Sequence, residues 1–380
     1  MTIYLDHNAT TPLDARALEA MLPWLQGVQG NPSSVHRFGR AAHAALETAR
    51  RQVAALVNVE PSQVVFTSGG TEADNLALKG VCRGQPDGQL LVSAIEHAAV
   101  QGPADALAAS GWPVQRIPVD ASGRVDVNAL DRLCTQSTRL VSVMLANNET
   151  GVIEDIRALA ECAHAHGALM HTDAVQAAGK MAVDFAALGV DLMTLSAHKL
   201  NGPRGVGALL VSKSVLLTPL VDGGGQEQGR RGGTENLASI VGFGKAAELA
   251  CAELQQRIPA MCALRERFEN GLRALPGIQV FAQDAERLPN TVQIGVQGFD
   301  GEAVVMELDK RGIAVSSGSA CHSGSGRPSH VLKAMGLDDA TARGAVRVSF
   351  GTENTPADVD SLLNALTVIT HANRGAVAWA

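Results

Sequence analysis

The sequence predicts an α/β protein: a mostly parallel sheet covered by helices on both faces, followed by a smaller α+β unit. Two observations carry this expectation. Short apolar runs alternate with segments of helical periodicity through the middle of the chain, the pattern of strand–helix–strand units that stack into a parallel sheet. The chain is also long enough, at 380 residues with 46% of them hydrophobic, to bury a sizeable core in more than one unit.

In chain order, the runs at 64–67, 89–93, 114–117 and 140–145 read as strands, as do those at 168–171, 192–195 and 206–211. Helical stretches separate most of them, for example 155–166. A long helical stretch begins near Asn236. Pro259 has no N–H to donate and its ring crowds the preceding turn, so it is expected to kink or end that helix. Beyond it, 278–281 and 291–296 read as strands, a helix starts at Glu302, 346–350 is a further strand and 358–370 a closing helix. The expected division is a large domain over 14–258 and a small one formed by 1–13 with 259–380. There is no internal repeat and no low-complexity tract. Gly223-Gly224-Gly225 implies an irregular loop.

Charge and composition exclude several classes. The net charge is −7, and Arg230-Arg231 is no more than a doublet, so a nucleic-acid footprint is not expected. No apolar run approaches the ~20 residues needed to cross a bilayer. The segment Met1 to Asp6 lacks a basic flank and an apolar signal core. The expected location is cytoplasmic, without a membrane partner. The six cysteines form no CxxC pair, which argues against a zinc knuckle or thioredoxin motif. Cys82, Cys134, Cys162, Cys251 and Cys262 lie in or beside helical segments and read as small hydrophobes.

Five places along the chain can carry chemistry. Lys199, in Ser196-Ala197-His198-Lys199, follows an apolar strand and precedes the turn Gly202-Pro203-Arg204-Gly205. Open α/β sheets bind ligands at the carboxyl ends of strands, and a buried lysine there can form a Schiff base. An exposed turn lysine is the plain alternative. Asp173, in His171-Thr172-Asp173-Ala174-Val175-Gln176, also ends a strand and needs a cationic partner at that depth. The protonated ring nitrogen of pyridoxal phosphate (PLP) would be one; a helix N-cap is the other reading. Thr67-Ser68-Gly69-Gly70-Thr71-Glu72 joins a strand to a helix, where free N–H groups and the helix dipole can hold an anion, or it is an ordinary turn. His97 lies just past another strand and can stack on a ring or move protons, or simply start a helix. Cys321 sits in the Ser/Gly-rich run 316–328. An exposed thiol in such a loop points to use as nucleophile, redox sensor or metal ligand.

With these residues in view, the sequence resembles the NifS/IscS-type (group I) cysteine desulfurases, which are class V, fold-type I PLP enzymes. The resemblance starts at Tyr4-Leu5-Asp6-His7-Asn8-Ala9-Thr10-Thr11-Pro12 and runs through Asn31-Pro32-Ser33-Ser34-Val35-His36, Ser68-Gly69-Gly70-Thr71-Glu72 and Glu96-His97. It continues through Asn147-Asn148-Glu149-Thr150-Gly151, the Asp173/Gln176 segment and Ser196-Ala197-His198-Lys199. Arg231-Gly232-Gly233-Thr234, Ser317-Gly318-Ser319-Ala320-Cys321 and Arg347 complete it. It implies a PLP-dependent transferase fold with a seven-stranded α/β/α large domain.

The resemblance also implies roles. Lys199 would carry the cofactor, and His97 would stack on its ring. Asp173 would pair with the ring nitrogen, Gln176 with the phenolic oxygen. Gly70, Thr71, Ser196 and His198 would hold the phosphate, and Thr234 would reach the partner subunit's phosphate in a homodimer. Asn148 and Arg347 would bind the substrate carboxylate. Cys321 would take the sulfur of L-cysteine as a persulfide, leaving alanine, and pass it to a protein acceptor such as an iron–sulfur scaffold or thiolation protein. No metal site is expected, beyond Cys321 as an iron–sulfur ligand in a scaffold complex. One departure is His322, where housekeeping members often have Thr. Ala320-Cys321-His322-Ser323 and Gly233-Thr234-Glu235-Asn236 also resemble selenocysteine lyases, which leaves sulfur against selenium open. A class V aminotransferase would explain Lys199 and Asp173, but not Cys321.

Overall fold

Seven of the apolar runs hydrogen-bond into one sheet. The structure is a computed structural model that describes residues 2–27, 29–84, 88–317 and 328–377, the last six of these by backbone alone. Among the described residues the strands are β1 (Ile3–Tyr4), β2 (Val64–Thr67), β3 (Gln89–Ser93), β4 (Val114–Ile117), β5 (Thr138–Ser142), β6 (Leu169–Asp173) and β7 (Leu192–Ser196). They continue with β8 (Gly207–Val211), β9 (Ile278–Val280), β10 (Thr291–Val296), β11 (Ile313–Ala314), β12 (Ser316–Ser317) and β13 (Ala345–Ser349). The helices are α1 (Ala15–Gln26), α2 (Arg37–Leu56), α3 (Gly70–Gly84), α4 (Ala98–Ala109), α5 (Val127–Leu133) and α6 (Ile156–Ala165). They continue with α7 (Phe185–Leu188), α8 (Leu237–Leu272), α9 (Gly301–Asp309), α10 (His330–Ala334), α11 (Asp339–Arg343) and α12 (Pro356–Val377).

The large sheet has the order β2-β8-β7-β6-β5-β3-β4. β4, β3, β5, β6 and β7 are parallel. β8 runs antiparallel to both of its neighbours, β7 and β2. Alternate residues of each strand face opposite layers. Val64, Phe66, Leu91, Val141 and Met193 join one core with side chains of α2, α6 and α8. Val65, Leu90, Val92, Leu140 and Leu192 join a second core with α3 and α4. Burial on both faces explains why these strands read as continuous apolar runs rather than as alternating ones. The order reverses between β3 and β5. At such a point the loops leaving the two carboxyl ends diverge and open a crevice.

The remaining strands form a second, antiparallel sheet of order β12-β13-β10-β9, and β1 pairs in parallel with β11. Leu264, Phe268 and Leu272 of α8 pack with Val359, Leu362 and Leu366 of α12 and with Leu5 beneath this sheet. The N-terminal strand is thus built into the packing of the chain's second half.

The helix that starts after its Asn236 N-cap does not end at Pro259. α8 continues through it to Leu272, so the expected boundary falls inside one helix. The reason is packing on either side. Ala246, Ala247 and Ala250 are buried before the proline, and Met261, Leu264 and Phe268 after it. Pro259 and Gln255 are themselves exposed, so water can meet the Gln255 carbonyl that proline leaves without a donor.

Candidate active site

A cavity of about 330 Å³ opens at the carboxyl ends of β3, β5, β6 and β7, at the reversal in strand order. Gly70, Thr71, His97, Asn148, Asp173, Gln176, Ser196, His198, Lys199 and Arg347 all line it. Ten residues spread over 278 positions therefore share one wall. Thr234 is not among them. It lines a separate cleft with Thr67 and Ser68, beside the turn that enters α3. Cys321 lies outside the described residues.

One end of the cavity suits an anion. β2 leads through Ser68-Gly69 into the first turn of α3, whose N–H groups have no partner within the helix. A Cβ on Gly70 would stand 3.2 Å from Val175 Cγ2, so a larger residue would crowd this approach. Glu72 ties the turn together: it accepts from the Ser68 N–H at 2.8 Å and pairs with Arg231 at 2.9 Å. Through Arg231, the Gly232-Gly233-Thr234 segment is anchored to the same turn.

The floor is acidic. Asp173 ends β6 and is buried. Its Oδ1 accepts the Val175 N–H at 2.9 Å. Burial pushes its carboxyl up to about 6, against the pull of that N–H and of Lys199. Asp74 of α3 lines the same floor, and burial raises it well above the usual carboxylate range, with Asp173 adding to the effect. His171 is fully buried beside them. Its Nδ1 is 2.8 Å from Ser142 Oγ, its Nε2 is 3.1 Å from Thr194 Oγ1, and burial holds it neutral, down to about 3. A cationic ring nitrogen facing Asp173 would pair with its carboxylate.

Opposite the floor, Lys199 sits in the tight turn after β7. Its Nζ donates to the Asn8 and Ala9 carbonyls, at 2.5 and 2.8 Å. His97 ends the loop after β3 and caps α4, its Nδ1 accepting the Ala99 N–H at 3.1 Å. Both readings of His97 therefore hold together: it caps a helix and it lines the cavity. In the neutral ring an accepting Nδ1 leaves the proton on Nε2. Arg347 donates from Nη2 to Asp6 Oδ1 at 2.7 Å and from Nη1 to the Asn148 carbonyl at 2.9 Å. Its Nε is buried and has no hydrogen-bond partner among the described residues. The set matches a ligand with a phosphate at one end, a basic ring nitrogen, a carbonyl within reach of Lys199, and a substrate carboxylate near Arg347.

Residues 3–362 match the family model for class-V aminotransferases. The chain belongs to that family. It is 46% identical over 374 residues to a cysteine desulfurase from Gluconacetobacter diazotrophicus, covering 96% of this chain and 92% of the relative. A solved structure described as a NifS-like protein is similar with a TM-score of 0.91 and 37% identity, covering 97% of this chain and 99% of that one. Another, described as SspA in complex with cysteine, has a TM-score of 0.83 and 32% identity, covering 93% and 100%. These matches place the class-V chain among NifS/IscS-type members.

Three residues of this class-V site had no role in the sequence reading. Asn8 is a hub. Its carbonyl accepts from Gln176 Nε2 at 2.9 Å as well as from Lys199, and its Oδ1 accepts from Lys180 Nζ at 3.2 Å. Lys180 is fully buried, and burial depresses it well below the usual ammonium range, with Lys199 and Arg347 adding to this. Its Nζ also donates to Gln176 Oε1 at 2.8 Å. Asp74 is the third.

The family's Glu-His pair contributes a stability prediction. Glu96 is fully buried, and its Oε1 accepts from Ser93 Oγ at 2.5 Å and from the Met144 N–H at 2.7 Å. Burial pushes its carboxyl up to about 8 from an ordinary 4.5. A group raised on folding contributes stability that is complete below the ordinary value and is lost as pH rises through the folded one. Glu96→Gln removes this titration. In urea denaturation from about pH 5 to about pH 9, the wild type is expected to lose stability relative to the variant as pH rises. Parallel curves would refute the assignment.

Proposed function

We propose that the protein is a PLP-dependent cysteine desulfurase that takes sulfur from L-cysteine onto Cys321 and releases L-alanine. The observation that carries this reading is the convergence of Lys199, Asp173 and the first turn of α3 on one cavity, in a class-V chain whose relatives carry that name. Bound there, PLP would supply an electron sink for negative charge at the Cα of a joined amino acid.

The chain's own residues have the following parts. The α3 N–H groups, Thr71, Ser196 and His198 hold the phosphate. Asp173 would hold the ring nitrogen in its protonated form, as the ionised partner of that cation. Gln176 donates to the ring oxygen, because Lys180 occupies its own oxygen and leaves the NH₂ side for Asn8 and a ligand. His97 covers the ring face. Arg347 and Asn148 orient the substrate carboxylate, which competes with Asp6 for the guanidinium. Lys199 holds the cofactor and, once substrate displaces it, takes the Cα proton. The Cys321 thiolate attacks the substrate sulfur. The Cβ–S bond breaks, an S–S bond forms on Cys321, and the carbon fragment keeps the electron pair, gains protons and leaves as alanine. The persulfide passes to a protein acceptor such as an iron–sulfur scaffold or thiolation protein.

We also propose a homodimer in which Thr234 serves the partner's phosphate end. Its position outside its own chain's cavity, yet tied to α3 through Arg231, supports this.

The test is incubation of the PLP-loaded protein with L-cysteine and a reductant, without any keto acid. Alanine and sulfide should appear in equal amounts. Turnover that requires a keto acid would instead mark an aminotransferase. Selenocysteine run in parallel reports the chalcogen preference.

A second expectation concerns Lys180. Lys180→Met keeps the volume but frees the Gln176 amide to turn. Loss of an ordinary hydrogen bond costs about 0.5–1.5 kcal/mol, so PLP is expected to bind about two- to tenfold more weakly, read by fluorescence titration of the apo protein. Unchanged affinity would remove Lys180 from the positioning role.

A further inference from the structure

Away from the cavity, α5 and α6 bring together two thiols and an imidazole. Cys134 caps the C-terminus of α5. Cys162 lies on α6 and His166 caps its C-terminus, four residues on and so on the same face. One ligand atom from each of the three lies within 4.8 Å of the other two. Cys134 is buried, while Cys162 and His166 are half-buried, so the cluster opens to solvent on one side. His166 Nε2 is 2.9 Å from Asp131 Oδ1. In the tautomer that donates this proton, the ring's lone pair is on Nδ1. A carboxylate holding the second nitrogen of an imidazole is the usual support for a metal-bound histidine. Cys134 precedes β5 and His166 precedes β6, so the cluster stands at the amino ends of those strands, across the sheet from the cavity at their carboxyl ends.

We propose that Cys134, Cys162 and His166 form a zinc site, with Asp131 orienting the histidine and a water completing four-fold coordination. The donor set is that of Cys₂His zinc centres, with Zn–S about 2.3 Å and Zn–N about 2.0–2.1 Å. Tetrahedral bonds of that length put the ligand atoms about 3.3–3.8 Å apart, so the three side chains need close by only about 1 Å. Binding releases the two thiol protons, and the divalent ion takes up the charge of the two thiolates. The ion would pin the end of α5 to α6, remote from the reaction, with one position left open to water. The sequence shows no such site because the pair of cysteines is 28 positions apart, and Cys162 and His166 alone do not make a zinc motif.

The test is zinc binding by the PLP-loaded protein in competition with a chromophoric chelator, with metal content checked by mass spectrometry. One zinc per chain is expected in the wild type and in Cys321→Ser, which separates this site from the catalytic thiol. The Cys134→Ser/Cys162→Ser double variant should bind at least about 100-fold more weakly, and Asp131→Asn about tenfold more weakly. Zinc should raise the melting temperature of the wild type and not of the double variant. If the double variant is poorly folded, His166→Ala, at a half-exposed position, gives the same reading. Its turnover with saturating cysteine should stay at the wild-type level while zinc is lost. Zinc bound equally by wild type and these variants, or no zinc bound by the wild type, overturns the proposal.

Discussion

Lys199→Ala should reduce alanine formation from L-cysteine by at least about 10²–10⁴-fold, the range that a positioned proton-transfer group supplies, and should remove the visible absorbance of the lysine–cofactor linkage. Two losses combine. The amine that anchors the cofactor disappears, and so does the base at the substrate Cα. Lys180 shares the Asn8 hub with Lys199, but its Nζ is held by Gln176 Oε1 and Asn8 Oδ1 and is not placed to replace it. The surrounding fold should persist, because Lys199 is only half-buried and its bonds to Asn8 and Ala9 are made to backbone carbonyls in the cavity wall. Borohydride reduction followed by peptide mapping decides the assignment. A PLP adduct on any lysine other than Lys199 would reject it.

Cys321→Ser should separate cofactor chemistry from sulfur chemistry. PLP should remain bound and the spectrum should still change when cysteine is added, because Asp173, Lys199 and the α3 turn are untouched. Alanine and sulfide production should fall to background. A serine hydroxyl is not ionised near neutral pH and is a poor nucleophile toward sulfur. Mass spectrometry after brief exposure to cysteine without reductant should find a persulfide on Cys321 in the wild type and none in the variant. Full activity of the variant with cysteine would end the role given to Cys321. Activity surviving with selenocysteine alone would favour the lyase reading, since the weaker carbon–selenium bond need not be opened by a thiol.

The central strands were legible because burial on both faces leaves no polar alternation to confuse the pattern, and all seven runs of the large sheet are found in it, with the edge strand β4 partly exposed. Their ends were less so. The run expected over 140–145 stops as a strand at Ser142, although Val143 and Leu145 still donate to β6 carbonyls at 3.1 and 2.9 Å. Of the two outcomes open at Pro259, a kink or an end, the end is not found. A local rule about one missing donor was outweighed by burial on both sides of it.

Local chemistry determined what the sequence could tell unaided: a lysine and an aspartate at strand ends, and a glycine turn opening a helix. Each follows from neighbours a few residues away. Only the tertiary structure decided which groups meet and in what charge state. Asn8 joins Gln176, Lys180 and Lys199 across more than 160 positions, and Asp6 reaches Arg347 across 341. The carboxyls of Asp173, Asp74 and Glu96 are all shifted upward because folding removes water from all three. Desolvation depends on everything packed around a group, and no stretch of neighbouring residues encodes it.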